Sequence, residues 1–260
     1  YMDFQTPWSP DGERFTTAQM DGSLHFWETS SVKELLNLST EEEEPGATWS
    51  PAGDIILTSN VYINELTARD AASGEIKYTL DMSDYALPVF GDWSPSGDRF
   101  SIREFDRVRI FDTASGSLLQ EFNVPGVRIS VVRFSHDGTQ IITSGREDGT
   151  ARLWDLQTGE LQGAIGGLVQ AQGIAWSPSD DLVAISGGGG IHIWDPEFNA
   201  EKELLPILAA DVFLPEWTPD GKQIIVPSFI SSEIRVFNLS QALYTFSGLS
   251  DFTGFAAWSP

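Results

Sequence analysis

The sequence predicts an all-β protein built from repeated four-stranded antiparallel sheets, and three observations predict it. One turn recurs: Trp8-Ser9-Pro10-Asp11-Gly12, Trp49-Ser50-Pro51-Ala52-Gly53, Trp93-Ser94-Pro95-Ser96-Gly97, Phe134-Ser135-His136-Asp137-Gly138, Trp176-Ser177-Pro178-Ser179-Asp180 and Trp217-Thr218-Pro219-Asp220-Gly221, with Trp258-Ser259-Pro260 beginning a seventh. The leading aromatics are 41, 44, 41, 42, 41 and 41 residues apart. No stretch keeps a helical period, and short β-branched and aromatic runs separated by turn residues fill each interval. Self-similarity at one period marks an array of equivalent supersecondary units.

The fourth unit is the most regular. Strand a is expected over 128–134, and Ser135-His136-Asp137-Gly138 is a tight turn whose glycine can take a positive φ. Strand b follows over 140–144, Glu147-Asp148-Gly149 is a hairpin turn, and strand c spans 150–155. Gln157-Thr158-Gly159 then turns into strand d, 160–165. In the first unit 14–18, 23–28 and 34–38 take the places of b, c and d. Residues 31–38 also show a weak helical pattern, with Val32, Leu35, Leu36 and Leu38 on one side, but their place in the repeat is that of strand d. The second unit lengthens its b–c hairpin through 60–64. In the third and sixth, 107–112 and 233–238 are strand c. The fifth replaces the Asp-Gly hairpin by Gly187–Gly190, and 251–258 would open a further unit. Sheets of this size cannot bury both faces alone. Stacked radially they bury one another, which makes the predicted architecture a β-propeller of six repeats plus one extra strand.

Composition agrees and narrows function. At 260 residues, 41% of them hydrophobic, the chain has ample material for a core. The 38 acidic residues against 15 basic ones give a formal net charge of −23, which disfavours nucleic acid or an anionic membrane as a partner. With no Cys there is neither a disulfide framework nor a thiolate metal site, and no apolar run is long enough to span a membrane. The chain starts at Tyr1 and stops inside a turn, so a fragment of one domain, 1–260, truncated at both ends is expected, with seven blades in the intact ring.

These residues resemble the WD-repeat family. The signature dipeptide stands as Trp154-Asp155 and Trp194-Asp195, softens to Trp27-Glu28, Phe111-Asp112 and Phe237-Asn238, and is lost at Arg69-Asp70. The resemblance implies a hydrogen-bonded network joining a His before strand a, a hydroxyl in b, an Asp in the b–c turn and the Trp of c. Asp148 and Trp154 match it with Thr143 or Ser144, and Asp21 and Trp27 with Thr16 or Thr17. The Gly-His is missing throughout, with Gly126-Val127 in one such place, so weaker locking is expected there. The Trp-Ser-Pro-Asp-Gly wording is also similar to TolB-like propellers and to WD arrays of large bacterial multidomain proteins.

Candidate sites are few. His25 and His192 share a place, two before the strand c Trp, that Arg109, Arg152 and Arg235 hold elsewhere; a solvated rim position is the simplest reading, and converging metal ligands are not expected. His136 replaces a turn Pro and should be exposed. No nucleophile elbow or phosphate loop is present, so no catalytic residue, cofactor or metal is expected. Glu41–Glu44 reads as a solvated acidic loop. The resemblance places ligands on the face built by the d–a and b–c loops. There the large residues the repeat does not need are Tyr62, Tyr85, Leu87, Arg128, Phe213 and Phe252, candidates for partner contact. The reading is a non-catalytic scaffold or sensor for protein partners in a larger, bacterial, cytoplasmic protein. A docking or gating propeller of a hydrolase and a periplasmic TolB-like domain are the alternatives.

Overall fold

The computed structural model describes residues 8–19, 23–39, 46–60, 65–84, 89–168, 171, 173–197, 199–207, 214–228 and 233–247. Every regular element among them is a strand. The first sheet is β1 (Arg14–Ala18), β2 (Ser23–Glu28) and β3 (Glu34–Ser39), in that order, with Trp8 bridging to Phe15 in the place of strand a. The second is β4 (Gly46–Trp49), β5 (Ile55–Asn60), β6 (Glu65–Asp70) and β7 (Ile76–Asp81). The third is β8 (Val89–Trp93), β9 (Arg99–Arg103), β10 (Arg107–Asp112) and β11 (Leu118–Asn123). The fourth is β12 (Ile129–Phe134), β13 (Gln140–Gly145), β14 (Ala151–Asp155) and β15 (Leu161–Ile165). The fifth is β16 (Gly173–Trp176), β17 (Val183–Gly187), β18 (Gly190–Asp195) and β19 (Ala200–Pro206). The sixth is β20 (Glu216–Trp217), β21 (Ile224–Ser228), β22 (Glu233–Phe237) and β23 (Ala242–Phe246). Each is an antiparallel meander in chain order, the construction of a propeller blade. The expected strands that fall on described residues stand within one or two residues of their places, 251–258 lying outside them, and of the 31–38 stretch 34–38 is strand, as its position in the repeat required.

Two compact units divide the chain, residues 1–105 with 109–121 and residues 106–108 with 122–260. Within each, the core lies between consecutive sheets. In the first unit, Trp49 joins Leu24 and Phe26 of the sheet before it, and Trp93 joins Leu57, Leu66 and Ala68. In the second, Trp176 clusters with Val131, Ile142 and Leu153, and Trp217 with Ala184, Ile191 and Ile193. At these four places the leading aromatic plugs the gap to the preceding sheet, whereas Trp8, in the first sheet, is exposed; removing such a buried side chain costs about 3–5 kcal/mol.

The turn behind each aromatic is one device repeated six times. The N–H of the fourth turn residue donates to the carbonyl of the Ser or Thr at the first, at 2.8–3.0 Å from Gly12 to Gly221, with Asp180 in the fifth copy. The Ser or Thr hydroxyl accepts the N–H five residues on: Arg14, Ile55, Arg99, Gln140, Leu182 and Gln223. The same hydroxyl donates to a carboxylate, and two positions can supply it. Asp11, Asp137 and Asp220 stand two residues after the hydroxyl; where that position is Ala52, Ser96 or Ser179, the acid stands four after it, at Asp54, Asp98 and Asp181. All six hydroxyl residues are buried, so a full set of partners is what makes the position tolerable. These bonds hold the carboxyls of Asp11, Asp98, Asp181 and Asp220 below the usual range, the last at about 2 through its Thr218 and Lys222 bonds. At Asp137 burial opposes the Ser135 and Thr139 bonds and loses.

Candidate functional site

Tyr62, Tyr85, Leu87, Phe213 and Phe252 lie outside the described residues, as do Asp21 and Glu41–Glu44. Arg128 is described, and it stands where the link from the third sheet enters the fourth. Val124 and Phe122 are buried and anchor that link; the Val124 N–H donates to the Asp106 carbonyl at 2.8 Å, and the Val127 N–H to the Val124 carbonyl at 3.1 Å. Gly126, at φ 77°, completes the turn that delivers Arg128 to the head of β12. The Arg128 N–H donates to Glu147 Oε2 at 2.8 Å, and its carbonyl accepts the Arg146 N–H at 2.9 Å. Arg128 thus has a neighbour that reading the sequence missed. The turn at Ser135–Gly138 alone would carry 128 opposite 147; a register shift between Ile129 and Val131 moves Ile129 onto Gly145 and so brings 128 beside 146, which the turn spacing does not reveal.

Beside this pair the b–c hairpin closes tightly. A side chain at Gly145 would put its Cβ 2.2 Å from Asp148 Oδ1 and 2.5 Å from Val127 Cγ1, so only glycine lets both approach. In the fifth sheet the expected glycine hairpin is present, with Gly187 paired to Gly190. A Cβ on Gly190 would fall 2.0 Å from the Leu205 carbonyl oxygen, so close backbone packing explains the run.

The hydrogen-bonded network implied by the resemblance is partly present. Trp154 Nε1 donates to Thr143 Oγ1 at 3.0 Å, and Trp27 Nε1 to Thr17 Oγ1 at 2.9 Å. Ser144 turns instead to the Ala171 carbonyl. Asp148 does not wait for the missing His: its Oδ2 is held by Arg152 and its Oδ1 accepts the Thr150 N–H at 3.1 Å. Trp194 is fully buried, and its Nε1 has no hydrogen-bond partner among the described residues. The place of Thr143, across from Arg152, is held in the fifth sheet by Ile185, across from His192. Asp155 and Asp195 do structural work at the c–d turn: Asp155 Oδ1 accepts the N–H groups of Gln157 and Thr158 at 2.8 and 2.7 Å, and Asp195 Oδ2 pairs with Lys202 at 2.7 Å.

The rim reading of His25 and His192 is corrected. Their side chains are only 12% and 10% exposed, because a carboxylate from strand d reaches each of them. His25 Nδ1 lies 2.7 Å from Glu34 Oε1, and His192 Nδ1 lies 2.7 Å from Glu201 Oε1. The arginines at the same place behave alike. Arg109 is held by buried Glu104 and, at 2.7 Å, by Glu121; Arg152 is held by Asp148, and Arg235 by Glu233 at 2.7 Å. The place is a cation slot that ties the middle of the sheet to an acid on strand d, in the b–c turn or, for Arg235, on strand c itself. His136 is exposed as expected, and it bonds to Asp180 of the next unit. Among the described residues no group of three His, Asp or Glu is placed to hold a metal ion, and no helix is long and apolar enough to cross a membrane.

Comparison with known proteins adds the family. The family described as WD domain, G-beta repeat, matches residues 2–28 and 116–155. The chain is 22% identical over 259 residues to the SIR4-interacting protein SIF2 of Saccharomyces cerevisiae, covering 90% of this chain and 46% of that protein. It is 26% identical over 172 residues to the target of rapamycin complex subunit LST8 of Mus musculus, covering 64% and 52%. To the small ribosomal subunit protein RACK1 of Caenorhabditis elegans it is 30% identical over 122 residues, covering 43% and 37%. The chain therefore spans about half or less of the length of these curated relatives. Six meanders of one construction, a Trp–Asp pair closing strand c in the fourth and fifth sheets and relatives of this kind together support the WD-repeat family of β-propellers for this chain.

Proposed function

We propose that this chain is a non-catalytic interaction scaffold, a set of rigid sheets presenting variable loops to protein partners within a larger, signalling-type multidomain protein. One observation carries the reading: the same buried hydroxyl–carboxylate turn locks all six units, while the d–a links differ in length and sequence from unit to unit. A fixed frame with divergent loops is how a repeat architecture builds recognition. Three relatives bear names that place them with other proteins, as an interacting protein, a complex subunit and a ribosomal subunit protein. The net charge of −23 supports a protein partner over nucleic acid or an anionic membrane. The bacterial and cytoplasmic setting rests on the wording of the Trp-Ser-Pro-Asp-Gly turns; the relatives named above are eukaryotic.

The test is affinity capture with the complete protein, followed by Arg128→Glu, Tyr85→Ala and Phe213→Ala. A stoichiometric partner whose capture falls with these changes supports the scaffold and its face. A complete protein that captures no partner overturns the scaffold reading.

A further inference from the structure

We propose that Arg128 and Arg146 together form a docking point for an acidic segment of a partner protein, one that presents two Asp or Glu carboxylates. This rests on the scaffold reading and names the chemistry recognised at one place on it. The two arginines stand one step beyond the Ile129–Gly145 pair, past the ends of the strands, and are joined by the Arg146 N–H to the Arg128 carbonyl at 2.9 Å. Like charges brought together at the end of a strand pair repel and destabilise it. Both residues are exposed. Among the described residues no hydrogen bond or ion pair engages either guanidinium, whereas Arg109, Arg152 and Arg235 are each tied to carboxylate.

In a chain with 38 acidic and 15 basic residues, two neighbouring guanidiniums left unengaged among the described residues are not explained by the contacts of the fold. The carboxylates beside them are already engaged: Glu147 accepts the Arg128 N–H, and Asp148 is held by Arg152. Each guanidinium keeps a planar fork of donors that matches a carboxylate two bonds at a time. The strand ends are open to water, so a small free anion would gain only screened attraction. An extended segment brings both carboxylates at once and can lie along the exposed Pro125-Gly126 turn, so the second contact forms at high effective concentration.

The experiment uses the purified chain and short fluorescein-labelled peptides of Gly and Ser with a central Glu-Glu, Gln-Gln or phosphoserine, read by fluorescence anisotropy at low and high salt. The expected result is salt-sensitive binding of the Glu-Glu peptide that is about tenfold weaker in Arg128→Gln/Arg146→Gln, with unchanged circular dichroism. Equal affinity for the Gln-Gln peptide, no loss in the double variant, binding of the phosphoserine peptide alone, or no binding of the Glu-Glu peptide would each overturn it. Capture of a partner by the complete protein that survives Arg128→Gln/Arg146→Gln removes this site and leaves the scaffold standing.

Discussion

His136 and Asp180 replace a Pro and a Gly at the same joint between neighbouring units. At three other joints the turn glycine of one unit faces the turn proline of the unit before it: a Cβ on Gly53, Gly97 or Gly221 would lie 3.5, 3.3 or 3.6 Å from the Cδ of Pro10, Pro51 or Pro178. Between the fourth and fifth units the proline is His136, which restores an N–H that proline lacks. The glycine is Asp180, at φ 58°. The Asp180 carboxylate accepts that N–H at 2.9 Å and the Asp137 N–H at 2.9 Å, with the His136 imidazole Nδ1 at 2.7 Å. One substitution creates the need that the other meets.

Asp180→Ala should therefore cost about 2 kcal/mol, the worth of a few charge-assisted bonds. Asp180→Gly should cost less, since glycine relaxes the positive φ. His136→Pro/Asp180→Gly should recover most of the loss by restoring the contact made at the other joints. Urea unfolding of the four proteins checks this; strictly additive single effects would refute the coupling.

Arg109 holds the buried carboxylate of Glu104 and binds Glu121 as well, at 2.7 Å. Arg109→Met takes the guanidinium from a carboxylate that is 3% exposed, for an expected loss of up to about 3 kcal/mol. Glu104→Leu/Arg109→Met should recover most of it. Thermal melts of the two proteins decide, and equal destabilisation would argue that Glu104 has sufficient partners without the guanidinium.

Trp154 and Trp194 hold one position in adjacent sheets but differ in bonding. Thr143→Val should cost about 1 kcal/mol through the lost indole bond. Ile185→Thr gives Trp194 the acceptor it lacks, so its packing loss should be partly offset. In a Trp194→Phe background that offset vanishes. The double-mutant cycle should show about 1 kcal/mol of favourable coupling between Thr at 185 and Trp194, measured by denaturant unfolding.

Asp220 carries the pH prediction. Its folded-state pKa, about 2, lies below the ordinary value of 3.8. The stabilisation is therefore present above about pH 4 and disappears as pH falls towards 2. Asp220→Ala should melt below wild type at neutral pH and converge with it near pH 2. A gap that stays constant across that range would sever the link between the turn bond and the titration.

The period, the turns and the sheet order were legible because each depends on a residue with few substitutes: an aromatic to plug the gap, a proline or glycine to shape the turn. The cation slot was visible as a place but not as a contact. His25 and His192 look like surface residues until strand d is laid against strand c, and a bulge after Phe26 and after Ile193 shifts the register that brings Glu34 and Glu201 within reach. The repeated His-to-Glu spacing, 25 to 34 and 192 to 201, was the available signal. Arg146 was overlooked because a candidate surface chosen by residue size favours aromatics, and because a register shift between Ile129 and Val131 decides that it meets Arg128.

Five of the six turn carboxylates, at Asp11, Asp98, Asp137, Asp181 and Asp220, are shifted in the same direction by the same kind of bond. Copies of a fastening share its weakness as well as its strength. Acid therefore weakens the same kind of fastening in five units together, so an assembly that gained its robustness by duplication has duplicated one sensitivity as well.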